Sequence, residues 1–341
     1  KAAGLEPGDF EGLFGFNDSD VFKVIEGASY ALSLQPDPEL EQYLDDLAVK
    51  IAAAQEEDGY LYTVGTIEKM VDEPACCVSK PRWSDLGSGH ELYNLGHFYE
   101  AAVAHHQATG KRTLLDVALK SADLLTTVFG PGRNMGVPGH QEIEIGLVKL
   151  YRATGKQEYL DLARFFLDQR GNAEGHELYG AYSQDHLPVT EQTEAVGHAV
   201  RAGYMYAGMA EVAALVGDPA YLRAADALWE NVVGRKLYLT GGIGATGSGE
   251  AFGPEYDLPN MSAYNETCAA IGNVYWNHQM FLLHGEGKYF DVLERTLYNG
   301  LLSGISLEGD GFFYPNPLES VGQHQRTPWF HCACCTGNVT R

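Results

Sequence analysis

Apolar positions recur at helical spacing along most of the chain. Between residues 157 and 169, Tyr159, Leu160, Ala163, Phe166 and Leu167 fall on one face, with Asp161, Arg164 and Asp168 between them, the pattern of an amphipathic helix. The stretch from Ala195 to Ala214 is different: it is richer in small and apolar residues all round, as suits a helix covered on every side. The two kinds alternate, so an inner helix backed by an outer one is the expected unit. Ala-Thr-Gly-Lys at 108–111 joins one helical stretch to the next, Thr113 to Leu125. The same four residues at 153–156, Val-Gly-Asp-Pro at 216–219 and Gly-Glu-Gly-Lys at 285–288 make equivalent joints. A glycine at each joint predicts a helix end, where a left-handed backbone is needed. The short link predicts antiparallel helical neighbours. An earlier pair is predicted over Asp20 to Leu34 and Pro38 to Ala54. About ten long helices are expected and no rival strand pattern. Joints recurring at intervals of 45 to 69 residues predict a closed or stacked helical array. The predicted class is all-α, an (α/α)6 barrel, and the chain stops where a further inner helix would begin, after Cys335.

With 341 residues, 45% of them hydrophobic, there is material for a large core. A net charge of -23 repels phosphate, which argues against a nucleic-acid partner and against an anionic membrane. No apolar run approaches the ~18 residues of a membrane span. The chain opens on Lys1 rather than an initiator methionine, so the lack of a visible signal peptide leaves the compartment open; the expected thiols suit the cytoplasm, and a secreted form stays possible on composition.

Three predicted inner helices open on Gly-His: Gly89-His90, Gly139-His140 and Gly197-His198. A single such histidine would be read as a helix cap or a polar gap-filler. Three at equivalent positions in a barrel would line one mouth, beside helix N-termini with unsatisfied N–H groups. A fourth inner helix is expected near Tyr264-Asn265-Glu266-Thr267-Cys268. Long connections at 56–88, 171–196 and 237–263 suggest function. The last is rich in glycine but lacks the Gly-Lys-Ser/Thr ending of a phosphate loop. Its glycines instead suit a backbone that passes close to a ligand while presenting Glu250.

The six cysteines are Cys76, Cys77, Cys268, Cys332, Cys334 and Cys335. Neighbouring Cα atoms stand about 3.8 Å apart, closer than the ~4.4 Å at which disulfides begin to be comfortable, so the adjacent pairs read as thiols. Glu266 and Cys268 would point to opposite sides of a regular helix; at a helix entry they can converge. Cys334 and Cys335 need a turn to converge, and Thr336-Gly337-Asn338 supplies one. Three thiolates and a carboxylate would make a tetrahedral zinc site. Buried inert cysteines are the alternative, preferred for Cys76 and Cys77, although two adjacent thiols near a mouth could also line it. Cys332 has no assigned role.

Together these segments resemble the β-L-arabinofuranosidase family of glycoside hydrolases, family 127, with relatives in family 146. The resemblance rests on His-Glu-Leu-Tyr-Asn-Leu-Gly-His at 90–97, Gly-His-Gln-Glu-Ile-Glu at 139–144, Gln-Asp-His-Leu-Pro-Val at 184–189 and Glu-Ala-Val-Gly-His-Ala-Val-Arg at 194–201. It continues through Gly-Glu-Ala-Phe at 249–252, Tyr-Asn-Glu-Thr-Cys-Ala at 264–269, Glu-Arg-Thr-Leu-Tyr-Asn at 294–299 and Cys-Cys at 334–335. Thr336-Gly337 stand where many members carry two prolines. The resemblance implies an (α/α)6 catalytic barrel over 1–341, with β-sandwich domains expected downstream and absent from this chain. It implies zinc held by Glu266, Cys268, Cys334 and Cys335, with Cys334 as nucleophile and Glu250 as general acid/base. It further implies contacts from His90, His140, His198, Glu294 and Tyr314 to the sugar of an arabinose-containing glycan.

On this reading the chain is a retaining exo-glycosidase that releases β-L-arabinofuranose or a closely related sugar. A thiolate replaces the usual carboxylate nucleophile, and Glu250 is expected to need a raised pKa, pushed up by Glu255 and Asp257 nearby in sequence. Two other readings use the same barrel: a sugar epimerase or lyase, and a non-catalytic carbohydrate-binding barrel with a structural zinc.

Overall fold

A computed structural model describes residues 1–67, 78–79, 81–328 and 332–341. Cys76 and Cys77 lie outside the described residues. The chain folds as two compact units, Lys1–Phe166 with Thr340–Arg341, and Leu167–Val339.

The first unit contains α1 (Asn17–Leu34), α2 (Pro38–Ala54), the single turn α3 (Thr63–Thr66), α4 (Glu91–Thr109), α5 (Thr113–Val128), α6 (Ile143–Thr154) and most of α7 (Gln157–Gln169). The inner helices α1, α4 and α6 pack in sequence, and α2 and α5 lie against them. α4 is buried from Glu91 to His105 without a break. On α7 the residues that the sequence pattern puts on one face, Tyr159, Leu160, Ala163, Phe166 and Leu167, are all buried, and Leu162 and Gln169 are buried with them. A closed ionic group also lies inside this unit. The Arg341 guanidinium reaches the carboxylates of Glu26, Glu100 and Glu142, and Lys149 pairs with Glu26 and Glu100.

The second unit continues with α8 (Ala199–Val216), α9 (Pro219–Arg235), α10 (Thr267–His284), α11 (Gly287–Arg295), which runs on into a π-helical turn over Thr296–Leu301, and α12 (Cys334–Thr340). α8 and α10 form its inner pair. They approach closely at two glycines: a Cβ on Gly203 would sit 3.2 Å from the backbone of Gly272. α9 and α11 cover them from outside.

The four predicted joints hold: Gly110, Gly155, Gly217 and Gly285 all end helices in the left-handed conformation. Ten of the helices run nine residues or more, and α2 has the predicted bounds. Two starts differ. α8 begins at Ala199, short of the Ala195 end of the apolar stretch but at the predicted Gly197-His198 opening, because Gly197 turns the chain at φ 70° and His198 caps the helix, its Nδ1 accepting the N–H of Arg201. α6 begins at Ile143, so His140 stands outside the helix it was expected to open. The side chain of the intervening Glu142 is wholly buried, facing His97 and Arg341. No described helix is long and apolar enough to cross a membrane.

Candidate active site and metal centre

The second unit brings the predicted ligands together. Glu266 is the N-cap of α10 and Cys268 lies in its first turn, the helix entry at which the two side chains can converge. Cys334 and Cys335 open α12; the expected turn over Thr336–Asn338 is a short helix, and it serves the same purpose by aiming two consecutive sulfurs from its first turn. The ligand atoms of Glu266, Cys268, Cys334 and Cys335 all lie within 4.8 Å of one another. Cys268 Sγ is 3.3 Å from Cys335 Sγ, and Glu266 Oε1 is 3.6 Å from Cys335 Sγ and 3.8 Å from Cys334 Sγ. Metal–ligand bonds of ~2.0 to 2.3 Å in a tetrahedron place neighbouring ligand atoms about 3.5 to 3.8 Å apart. The cluster thus has the size of a closed tetrahedral shell.

Its chemistry fits a cation as well. Glu266 is 2% exposed, its Oε2 is buried with no hydrogen-bond partner, and among the described residues it pairs with no lysine or arginine. Burial pushes its carboxyl well above the ordinary range, and burial likewise raises the Cys335 thiol. Four acidic groups packed this closely become ionised together only around a positive charge. The N-terminus of the 18-residue α10 adds a favourable field for anions at Glu266 and Cys268.

The three sulfurs of the cluster differ in access. Cys268 and Cys335 are buried, whereas Cys334 is part-exposed. The Tyr314 hydroxyl lies 3.4 Å from Cys334 Sγ, within hydrogen-bonding range for sulfur. Cys332 stands 3.7 Å from Cys334 and 3.8 Å from Tyr314 Oη but is not one of the four clustered ligands.

Glu250 occupies a strained turn. Gly249 and Glu250 both have positive φ, 67° and 53°. Thr246 and Ala251 close the turn through paired backbone hydrogen bonds, and Phe252 N–H binds Gly197 O at 2.9 Å. A non-glycine residue held in this region is a mark of functional sites. The carboxylate accepts His198 Nε2–H at 2.8 Å and the Tyr264 hydroxyl at 2.6 Å. Because His198 Nδ1 accepts the Arg201 N–H, the ring carries its proton on Nε2. Burial pushes the Glu250 carboxyl up, but these two donors outweigh it and leave it below its ordinary range. That corrects the expectation of a raised value. Glu255, one of the acidic neighbours invoked for it, pairs with Arg235 and Asn231 instead. Burial likewise holds His198 low, so its imidazole is neutral. Ligand atoms of Glu250, His198 and Glu266 lie within 4.8 Å of one another, so Glu266 joins the carboxylate group to the sulfur cluster.

In the first unit, His90 and His140 are neighbours, their rings 5.8 Å apart with Tyr93 packed against both. Each Nδ1 lies 2.8 Å from a backbone carbonyl, of Ser88 and of Gln141. That places the proton on Nδ1, the reverse of His198. Glu294 is exposed on α11, in a surface depression with Asp291, Arg295, Tyr298 and Asn299, none of which belongs to the cluster. The residue that sequence reasoning missed is Tyr264. It sits two places before Glu266 in the same motif, and that adjacency was the available signal.

A family model described as Beta-L-arabinofuranosidase, GH127 catalytic domain, matches residues 1–341. A non-reducing end beta-L-arabinofuranosidase of Bifidobacterium longum subsp. longum is 42% identical over 371 residues, covering 100% of this chain and 56% of its own. A solved GH127 beta-arabinofuranosidase is 57% identical with a TM-score of 0.94, over 100% of this chain and 53% of the other. A GH127 beta-L-arabinofuranosidase from Geobacillus stearothermophilus T6 is 46% identical with a TM-score of 0.92, over 99% of this chain and 56% of the other. The chain thus spans about half the length of these relatives. A cellobiose 2-epimerase from Spirochaeta thermophila aligns at a TM-score of 0.57 over 99% of this chain and 92% of its own, with 14% identity. That likeness shows the fold alone, and with it the all-α, (α/α)6-barrel class expected from the sequence.

Proposed function

The chain belongs to the GH127 β-L-arabinofuranosidase catalytic-domain family, and on that premise we propose that residues 1–341 carry a retaining exo-glycosidase activity that releases β-L-arabinofuranose, or a closely related sugar, from an arabinose-containing glycan. The observation that carries the reading is the difference in access among the sulfurs: in a four-ligand cluster of metal-site size, Cys334 is the one part-exposed thiol.

Glu266, Cys268, Cys334 and Cys335 would hold the ion, and three sulfurs with one oxygen favour zinc. Zinc bound there would keep the thiols deprotonated at neutral pH, where a free cysteine is mostly protonated. With three thiolates and one carboxylate against a divalent cation, the site carries a net charge of about -2, which keeps the Cys334 sulfur electron-rich. Cys334 Sγ attacks the anomeric carbon as Glu250 gives a proton to the leaving oxygen. The sugar is then held as a thioglycoside on Cys334. Glu250, now a carboxylate, takes a proton from water, and the water displaces the sulfur. Two inversions give net retention.

The turn around Glu250 suits both halves of this cycle. With Tyr264 and His198 donating, the carboxylate is a base. When Glu250 carries the proton, the Tyr264 hydroxyl can rotate and accept, since a phenol is donor and acceptor in turn. His198 supports the carboxylate in the base half. His90, His140 and Tyr314 are proposed as further sugar contacts; exposed Glu294 has no local feature that adds to this role.

The test combines metal analysis with a screen of aryl furanosides and pyranosides against wild type and Cys334→Ser. Zinc near one equivalent, arabinofuranoside turnover by wild type, and loss of turnover with a folded Cys334→Ser variant support the reading. Sugar binding without wild-type turnover would leave a carbohydrate-binding barrel.

A further inference from the structure

Tyr182 is an aromatic side chain left open beside the turn that presents Glu250. It is 45% exposed, yet its surroundings hold it in place. The Arg201 guanidinium, on a residue only 7% exposed, lies 4.7 Å from the ring centroid over one face, and is itself anchored by Nη1 donating to Ser183 Oγ at 3.1 Å. The His198 ring stands at right angles to it, centroids 5.6 Å apart and planes at 88°. The Tyr182 carbonyl accepts the His198 N–H at 3.0 Å. Gly249 passes so near that a Cβ there would meet the ring at 3.5 Å. A solvated tyrosine needs none of these supports. Here a buried guanidinium lies over a ring that stays partly exposed beside the proposed acid/base.

An acid that protonates a leaving oxygen must stand within hydrogen-bond reach of it. Whatever is attached to that oxygen therefore lies on the Glu250 side. We propose that Tyr182 is the specificity-determining platform for the leaving group, its exposed surface packing against the C–H face of a saturated ring, a second sugar residue being the class that fits. This rests on the glycosidase reading and adds the site for the part of the substrate that departs. Contacts to the arabinose are left unchanged by it, so Tyr182 governs discrimination among leaving groups and not recognition of the arabinose itself.

The experiment uses the metal-loaded protein and one glycone on two leaving groups: a methyl β-L-arabinofuranoside, and a disaccharide with β-L-arabinofuranose at its non-reducing end. For Tyr182→Ala we expect kcat/KM on the disaccharide to fall about tenfold, that on the methyl glycoside to stay within about twofold of wild type, and inhibition by free arabinose to be unchanged. Tyr182→Phe keeps the ring and should behave as wild type on all three. Equal losses on both substrates, or no loss on the disaccharide, overturn the proposal. If wild type hydrolyses both substrates and Tyr182→Ala treats them alike, only this inference fails. If metal-loaded wild type hydrolyses neither, the glycosidase reading fails first and takes this one with it.

Discussion

His198 donates from Nε2 to the Glu250 carboxylate across 2.8 Å, and its other ring nitrogen is tied to the backbone of Arg201. The pair is thus locked in one tautomer, and Tyr264, at 2.6 Å on the other carboxylate oxygen, is the donor that can turn. Glu250→Ala should cost about 10² to 10⁴ in kcat/KM on a substrate with a poor leaving group, and far less on a dinitrophenyl glycoside, which departs without a proton. Added azide should restore turnover of that activated substrate and yield a glycosyl azide of retained configuration. Tyr264→Phe should lose about tenfold in kcat. Equal losses on activated and unactivated substrates would remove Glu250 from the acid/base role.

The cysteines are predicted to separate into three behaviours. Cys268→Ala and Cys335→Ala, each losing a buried ligand, should lower bound metal below stoichiometric and reduce stability. Cys334→Ala should abolish turnover more completely than it lowers metal content. Cys332→Ala should keep the metal, because its sulfur lies outside the four-ligand group, and should retain most activity. Metal analysis of the four purified variants, alongside their turnover, checks the order. Loss of metal from Cys332→Ala would show that the four-ligand set is wrongly drawn.

Removing the ion should leave Glu266 and three thiols crowded together without their counter-charge. At a free metal concentration about a thousand times Kd, binding contributes roughly 4 kcal/mol to stability, so a strong chelator should lower the melting temperature by several degrees and abolish turnover, and added zinc should restore both. A melting temperature indifferent to chelator and to zinc would argue against a metal at the cluster.

Much of this was legible in the chain. Glycines at the helix joints and the buried face of α7 are dictated by local backbone freedom and apolar spacing, so they could be read directly. Glu266 and Cys268 could be placed at a helix entry because no other local geometry lets them meet. The charge state of Glu250 could not be read. It depends on His198 and Tyr264, 52 and 14 residues away, and sequence neighbours such as Glu255 proved to be engaged elsewhere. The start of α6 could not be read either: its N-cap is Glu142, and the partner of that buried side chain, Arg341, is 199 residues away.

Asp185 carries a pH-dependent share of stability. Its buried carboxylate accepts Gly171 N–H at 2.6 Å, Tyr179 N–H at 2.8 Å and His176 Nε2–H at 2.7 Å. Burial pushes its pKa up, but these donors prevail and leave it below the ordinary range. A depressed carboxyl contributes stability that is present above its unfolded pKa of about 3.9 and is lost as pH falls through the folded value. Asp185→Asn should therefore cost roughly 3 kcal/mol near neutral pH, with the gap to wild type narrowing below about pH 4. Denaturant unfolding of both proteins across that range checks it. A gap that stays constant to the lowest pH would show that the charge is not what Asp185 contributes.

The central claim is that the Cys334 sulfur forms a bond to the sugar. Mass spectrometry of metal-loaded Glu250→Gln, mixed with a dinitrophenyl β-L-arabinofuranoside, tests it most directly. Glycosylation then proceeds without an acid, and deglycosylation stalls for want of a base. The account predicts a protein heavier by one anhydropentose, with peptide mapping placing the sugar on Cys334. A sugar mapped to a carboxylate, or turnover with inverted configuration and no adduct, would contradict it.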